Sequence, residues 1–332
     1  MINMNRVMKK GLLMVCILAQ GIILAAQDFH YADVQTMNLW YNPALKTNRE
    51  GDLRINYKDI KYKSLSAFSN GHAMVSLPLV KKDKDGVLDK KGFLTATAAG
   101  AFDKSNQGAF RHTTAMLGLS YAQQLTANKV YMALGFQGST TSARFGGITG
   151  LFPDQFDAYG PLSVVTQDPL QGIRRLQWVS FHTGLSLFQQ GEQRDWYLGA
   201  SARHLNNPFT DEQKTADYRL ATQFSVQGGL TVKNEWHQFG VYGLLNWKAE
   251  ASEYLVGARF GRTIDAPVDD HEGTALYFGL GFRLRDAIIP NLQLKFNKTI
   301  VGFHYDINIS GLRAAGYTRQ GFELVVSRKL YR

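Results

Sequence analysis

The sequence predicts an all-β fold, a closed antiparallel transmembrane β-barrel of about 14 strands. Three observations predict it. Segments of about 10 residues alternate between apolar and polar or small side chains, the length and pattern of a barrel strand. The composition favours strands and tight turns, with 15 Tyr, 20 Phe and 32 Gly in 332 residues. The chain also opens with an export signal.

Arg6, Lys9 and Lys10 form a basic start, and residues 11–26 are uncharged and mostly apolar, ending Ala25-Ala26-Gln27. A basic start, an apolar stretch and small residues read as a secretory signal peptide over residues 1–26. Leu24 precedes the alanine pair where a small residue is usual, so an uncleaved anchor is the alternative. Cys16 is a poor lipidation site, because Val15 is bulky and the apolar run continues past it. Beyond the signal no cysteine remains, which excludes disulfides, thiol catalysis and cysteine-ligated metal. The mature chain carries 34 basic and 27 acidic residues, a net +7. These charges are spread along the chain rather than clustered, and point to lipid headgroups and solubility, with no nucleic-acid partner.

Residues 27–50 are expected as an N-terminal periplasmic segment, and residues 51–332 as the barrel. No apolar run of about 18 residues follows the signal, so no further transmembrane helix is expected. Strand centres fall near residues 55, 72, 97, 117, 134, 182, 200, 225, 242, 257, 279, 293, 304 and 325. In 274–285, Thr274, Leu276, Phe278, Leu280, Phe282 and Leu284 share one face, opposite Ala275, Tyr277, Gly279, Gly281, Arg283 and Arg285. Leu220, Phe224, Val226 and Leu230 oppose Gln223, Ser225 and Gln227. Trp196, Leu198, Ala200 and Ala202 oppose Asp195, Gly199, Ser201 and Arg203. Val301, Phe303, Tyr305, Ile307 and Ile309 oppose Gly302, His304, Asp306 and Asn308. The last strand turns Phe322, Leu324, Val326 and Leu330 outward and Glu323, Ser327 and Lys329 inward. Arg328, on the apolar side, is expected near a membrane interface. Closure follows because a lipid-facing sheet cannot leave edge N–H and C=O groups unpaired. The turns 124–128, 189–193 and 233–236 are short and fall on one side. The connections 141–174, 205–217 and 310–319 are longer and fall on the other, with 78–91 a long exception on the short side.

Chemistry-bearing motifs are few. The eight histidines lack metal-ligand spacing and read as lumen or loop hydrogen-bonders. Asp83-Lys84-Asp85-Gly86 departs from a calcium loop at Val87, and no phosphate loop follows Gly146-Gly147. No catalytic, metal or cofactor residue is therefore assigned. The inward arginines Arg203, Arg259, Arg283 and Arg285 are expected to favour anions in an open lumen or to pair with acids such as Asp195 and Glu253.

Several stretches, taken in order, carry a resemblance. They are Trp40-Tyr41-Asn42-Pro43-Ala44, the strand from Gly51 to Lys58, Pro153-Asp154-Gln155-Phe156-Asp157, His204-Leu205-Asn206-Asn207-Pro208, His304-Tyr305-Asp306-Ile307-Asn308-Ile309-Ser310, and Gly321-Phe322-Glu323-Leu324. The chain resembles the PorP/SprF family of type IX secretion system membrane proteins. His304 stands where that pattern has serine, and Asn207 where glutamine is common. The resemblance implies a non-enzymatic barrel in the outer membrane of a Gram-negative bacterium, working with the secretion or gliding machinery. It further implies help in exporting and surface-anchoring a large secreted or adhesin protein through that protein's C-terminal domain. Periplasmic lipoprotein ring components would be its neighbours. Outer loops on a rigid barrel are the place for such contact. Phe152, Phe156, Tyr159 and Phe209 are the candidate contacts, with packing inside folded loops or the interfacial girdle as the alternative. A porin-like channel for small solutes is the second functional reading.

Overall fold

The computed structural model describes residues 31–62, 68–79, 92–105, 109–146, 153–157, 160–161, 164–166, 173–210, 219–249, 251–266, 272–310 and 319–331. Residues 1–26, expected as a signal peptide, lie outside them, as does most of the 78–91 connection. The strands are β1 (Gly51–Tyr62), β2 (Phe68–Leu79), β3 (Gly92–Ser105), β4 (Phe110–Gln124) and β5 (Val130–Gly146). A minor hairpin follows, β6 (Phe156–Asp157) and β7 (Gly160–Pro161). Then come β8 (Ile173–Gln190), β9 (Arg194–Arg203), β10 (Gln223–Lys233), β11 (His237–Lys248) and β12 (Ala251–Asp265). The last are β13 (Thr274–Arg283), β14 (Ala287–Phe296), β15 (Thr299–Asn308) and β16 (Arg319–Tyr331).

All but the minor pair form one closed antiparallel barrel, sealed where β1 pairs with β16. Each of the 14 strand centres expected from the sequence falls in one of its strands. Closure leaves no edge to present unpaired backbone groups to lipid. Pro290 has no N–H to give, and the pairing of β14 with β15 lapses between Ile288↔Ile307 and Asn291↔His304 without losing register.

The period-two reading of the faces holds along the wall. Leu117 (71% exposed), Leu134, Phe136, Phe278 and Leu280 lie on the outer surface, while Gln137, Ser186, Gln227 and Asn246 are buried on the inner one. Leu220 is the exception: it precedes β10, is buried, and bonds through its N–H to the Pro208 carbonyl. Arg328 is exposed and paired with Thr299, the first residue of β15, so it sits near the barrel rim as expected.

Both ends of the barrel sequence lie at one mouth, since Gly51 pairs with Tyr331. The turns there at 125–129, 191–193, 234–236 and 297–298 are short, but 266–273 joins 80–91 as a longer one. At the other mouth the long connections 147–172, 204–222 and 309–318 alternate with tight ones such as 249–250 and 284–286. Several tight turns hold a non-glycine residue at positive φ, among them Lys129 (58°), Arg285 (59°) and Asn297 (52°).

Candidate functional site in the barrel lumen

The stretch expected as a periplasmic segment departs from that expectation. Of its described residues, 31–50, the stretch from residue 31 to residue 46 runs inside the barrel. Tyr31, Met37, Leu39, Trp40, Tyr41, Ala44 and Leu45 are all at most 1% exposed. Such aromatic and aliphatic bulk gains about 1.5–3 kcal/mol per side chain by leaving water. Inside the barrel most of this bulk clusters with the inward apolar residues Met74, Met116, Leu244, Leu255 and Ile289.

The chain enters beside the mouth that holds Gly51. Lys46 pairs with Asp52, Glu50 with Lys329 at 3.0 Å, and the Arg49 guanidinium lies 5.3 Å from the Phe93 ring. Asn42 Oδ1 then accepts the Ala44 N–H at 2.9 Å, an Asx turn that reverses the chain at Pro43. Asn42 Nδ2 reaches the wall carbonyls of Leu185 and Ala200 at 3.2 and 3.3 Å. The wall is glycine where this turn rests. A Cβ on Gly184 or Gly199 would overlap the Asn42 amide, and one on Gly135 the Pro43 backbone. Ser186 and Ser201 donate to the carbonyls of Ala44 and Tyr41, both at 2.7 Å.

A single helical turn, Asn38–Tyr41, crosses the lumen next. Gln137 donates to the Leu39 carbonyl at 3.2 Å, and Arg54 to the Thr36 carbonyl at 2.6 Å. The Trp40 ring meets His72 edge-on at 4.7 Å and lies 5.3 Å from the Arg203 guanidinium. On the far side Glu323, fully buried, accepts the backbone N–H groups of Ala32 and Asp33 at 2.7 and 3.0 Å. Asp33 pairs with His304 at 3.5 Å and accepts from Gln293 at 3.1 Å. Walls β1, β2, β5, β8, β9, β14, β15 and β16 thus all grip the segment.

A buried charge chain continues from Glu323. Lys58 lies 3.0 Å from Asp306 and 3.6 Å from Glu323. Arg283 reaches Glu253 at 3.0 Å, Asp286 at 3.0 Å and Asp306 at 3.2 Å. Burial by itself would raise the Asp33 pKa, but His304 and two donors from Thr36 hold it well below the carboxylate range. Burial lowers the Lys46 ammonium to about 8, Asp52 opposing that shift and Arg54 adding to it.

The inward arginines divide. Arg283 pairs with Glu253 as expected. Arg259 donates to Gln293 at 2.8 Å, and Arg203 stacks on Trp40. Arg285 departs from the expectation, because it stands exposed in the 284–286 turn at the mouth. Asp195 pairs with Lys233 at 2.7 Å instead of with an arginine. His182 bonds Ser139 and His204 bonds Ser180, as lumen hydrogen-bonders should.

Of the four candidate loop contacts, Phe152 and Tyr159 lie outside the described residues. Phe156 belongs to the minor hairpin β6. Phe209 is half-buried, with the Arg219 guanidinium 4.1 Å over its ring. No sequence expectation placed this segment in the lumen. Its signal was Tyr31, Trp40 and Tyr41 ahead of a barrel whose inward faces carry Gly135, Gly184 and Gly199.

The sequence profile of the family described as "Type IX secretion system membrane protein PorP/SprF" matches residues 23–327. The chain belongs to the PorP/SprF family. No curated relative matches it. Among solved structures, a deletion mutant of the monoaromatic hydrocarbon channel TodX shares 11% identity, covers 88% of this chain and 94% of its own, with a TM-score of 0.51. The Pseudomonas putida toluene transporter TodX shares 10% identity, with coverages of 91% and 94% and a TM-score of 0.49. The KdgM porin with oligogalacturonate shares 6%, with coverages of 84% and 99% and a TM-score of 0.39. At 11% identity the likeness to the TodX mutant is one of fold alone.

The family assignment and the closed barrel make the chain a type IX secretion component of the Gram-negative outer membrane. Several PorP/SprF motif residues prove to be lumen residues. Asn42 seats the segment, Glu323 caps its amides, and Asp306 carries the charge chain between Lys58 and Arg283.

Proposed function

We propose that this PorP/SprF barrel is a non-enzymatic receiver and anchor. It binds the C-terminal domain of a large secreted or adhesin protein, helps its export, and holds it at the cell surface for secretion or gliding. Periplasmic lipoprotein ring components of the apparatus dock at the opposite mouth. The observation that carries this reading is the filled lumen. A segment gripped from eight strands, with Trp40 and Tyr41 about fully buried, leaves cargo to be engaged outside the lumen. The long connections 147–172, 204–222 and 309–318 are the surfaces on offer, with Phe152, Phe156, Tyr159 and Phe209 as contacts. The segment also weighs against a porin-like channel, the second reading.

The test is affinity capture of the tagged protein from detergent-solubilised outer membranes, followed by mass spectrometry. Recovery of one large secreted protein together with ring lipoproteins supports the reading. A barrel recovered without such companions, and conducting ions in a planar bilayer, overturns it.

A further inference from the structure

Four basic residues share one row across the barrel wall. Lys104 of β3 stands opposite Arg111 of β4, Arg111 opposite Arg144 of β5, and Arg144 opposite Arg175 of β8. Directly paired residues of adjacent strands point to the same face. That face is the outer one, because the inward positions beside them alternate in step: Ala101, Thr114, Ala143 and Ser180 are all buried. Lys104, Arg111 and Arg175 are exposed, and Arg144 is half-buried.

The row lies at the mouth away from the chain ends, the extracellular end of an outer-membrane barrel. Below it the same wall is apolar, with Leu117, Phe136, Val179 and Phe181 exposed. Arg111 lies four residues beyond Ala115, about 10 Å of height for strands tilted by about 40°. That is the headgroup layer, just above the hydrocarbon. The row between is Phe102, Thr113, Ser142 and Gln177, whose polar members add hydroxyl and amide donors.

Like charges directly opposite one another destabilise a sheet. Here four stand within about 15 Å, at cross-strand spacings of about 5 Å. Among the described residues no carboxylate ion-pairs with any of them. In the same row Asp59 lies two strands beyond Lys104, beside Lys61 at 3.8 Å. Lys104 leans over the Phe102 ring at 5.4 Å, and the Arg144 Nε is buried with no hydrogen-bond partner among the described residues. Such a row calls for an anion, and at this height on a membrane wall the anion is a lipid phosphate. Guanidinium forks match phosphate oxygens in pairs.

We infer that Lys104, Arg111, Arg144 and Arg175 form a binding site for the phosphorylated headgroup of an outer-leaflet glycolipid. The bound lipid offsets the repulsion along the row and fixes the β3–β8 face toward the membrane. The β6–β7 hairpin emerges from the same strands, so the lipid also braces the longest outer loop.

The test is native mass spectrometry and lipid titration of the full-length protein in detergent. The probes are diphosphorylated lipid A, the same lipid A after phosphatase treatment, phosphatidylglycerol and inorganic phosphate. Diphosphorylated lipid A is expected to bind at least 10-fold more tightly than the dephosphorylated form, with inorganic phosphate a weak competitor. The K104S/R111S/R144S/R175S variant is expected to lose that advantage, while K61S at the same rim keeps it. The comparison of phosphorylated with dephosphorylated lipid uses the unaltered protein, so it stands even where the variant misfolds. Equal affinity for the two lipid A forms overturns the inference. Phosphatidylglycerol bound as tightly as lipid A, or lipid A fully displaced by millimolar phosphate, overturns the assignment to a glycolipid.

Discussion

Asn42 occupies the space that a side chain at Gly184 would need. A Cβ there would overlap the Asn42 amide oxygen and lie 3.0 Å from Pro43 Cδ. A glycine in the wall and a turn in the lumen segment are therefore one fitted contact, made across 142 positions of sequence.

Gly184→Ala should unseat the turn at a cost of about 1–3 kcal/mol, the usual range for overpacking. Limited proteolysis of the folded barrel would show faster cleavage between residues 31 and 46. Gly100→Ala is the control, since a Cβ there meets nothing within 4 Å. Equal cleavage rates in the two variants would refute the cradle.

Glu323→Ala should release the other end of the segment. It orphans the amides of Ala32 and Asp33 and takes one carboxylate from Lys58. Removing one member of a buried charge group costs about 3–5 kcal/mol. The thermal midpoint of the heat-modifiable band on gels should fall, and conductance in planar bilayers should rise toward that of a barrel lacking residues 31–46. An unchanged midpoint would contradict a gripping role for Glu323.

Acid should loosen the segment at Asp33. Its pKa in the folded protein lies below that of the unfolded chain, so the folded state binds fewer protons. The stability it contributes is complete above the unfolded value near 3.8 and is lost as pH falls through that value toward the folded one. His304, Gln293 and Thr36 face it, with the Glu323 carboxylate beside it. Protease access to the segment should rise as pH falls below about 4, and Asp33→Asn should remove part of that rise. A profile identical in the variant would assign the effect to other groups.

Phe209→Ala should leave the barrel intact and weaken cargo capture. The ring is half-buried and covered by Arg219, a pairing worth about 0.5–1 kcal/mol at exposed sites. The thermal midpoint should therefore move little while the recovered secreted protein falls several-fold. Undiminished recovery would remove Phe209 from the contact surface.

The wall of this barrel is legible in its local sequence. A strand's two faces are a local property with period two, so Phe278 and Leu280 could be placed in lipid, and Gln227 and Asp306 in the lumen, from their neighbours alone. Closure also followed, since lipid tolerates no open edge. What fills the lumen is set by contacts between residues far apart in the chain. Glu323 meets Ala32 across 291 positions, and Asn42 meets the carbonyl of Ala200 across 158. No local pattern says which inward glycine will face which turn. The lumen's shape exists only once all its strands have paired, and burial of Trp40 and Tyr41 is a gain that depends on that shape.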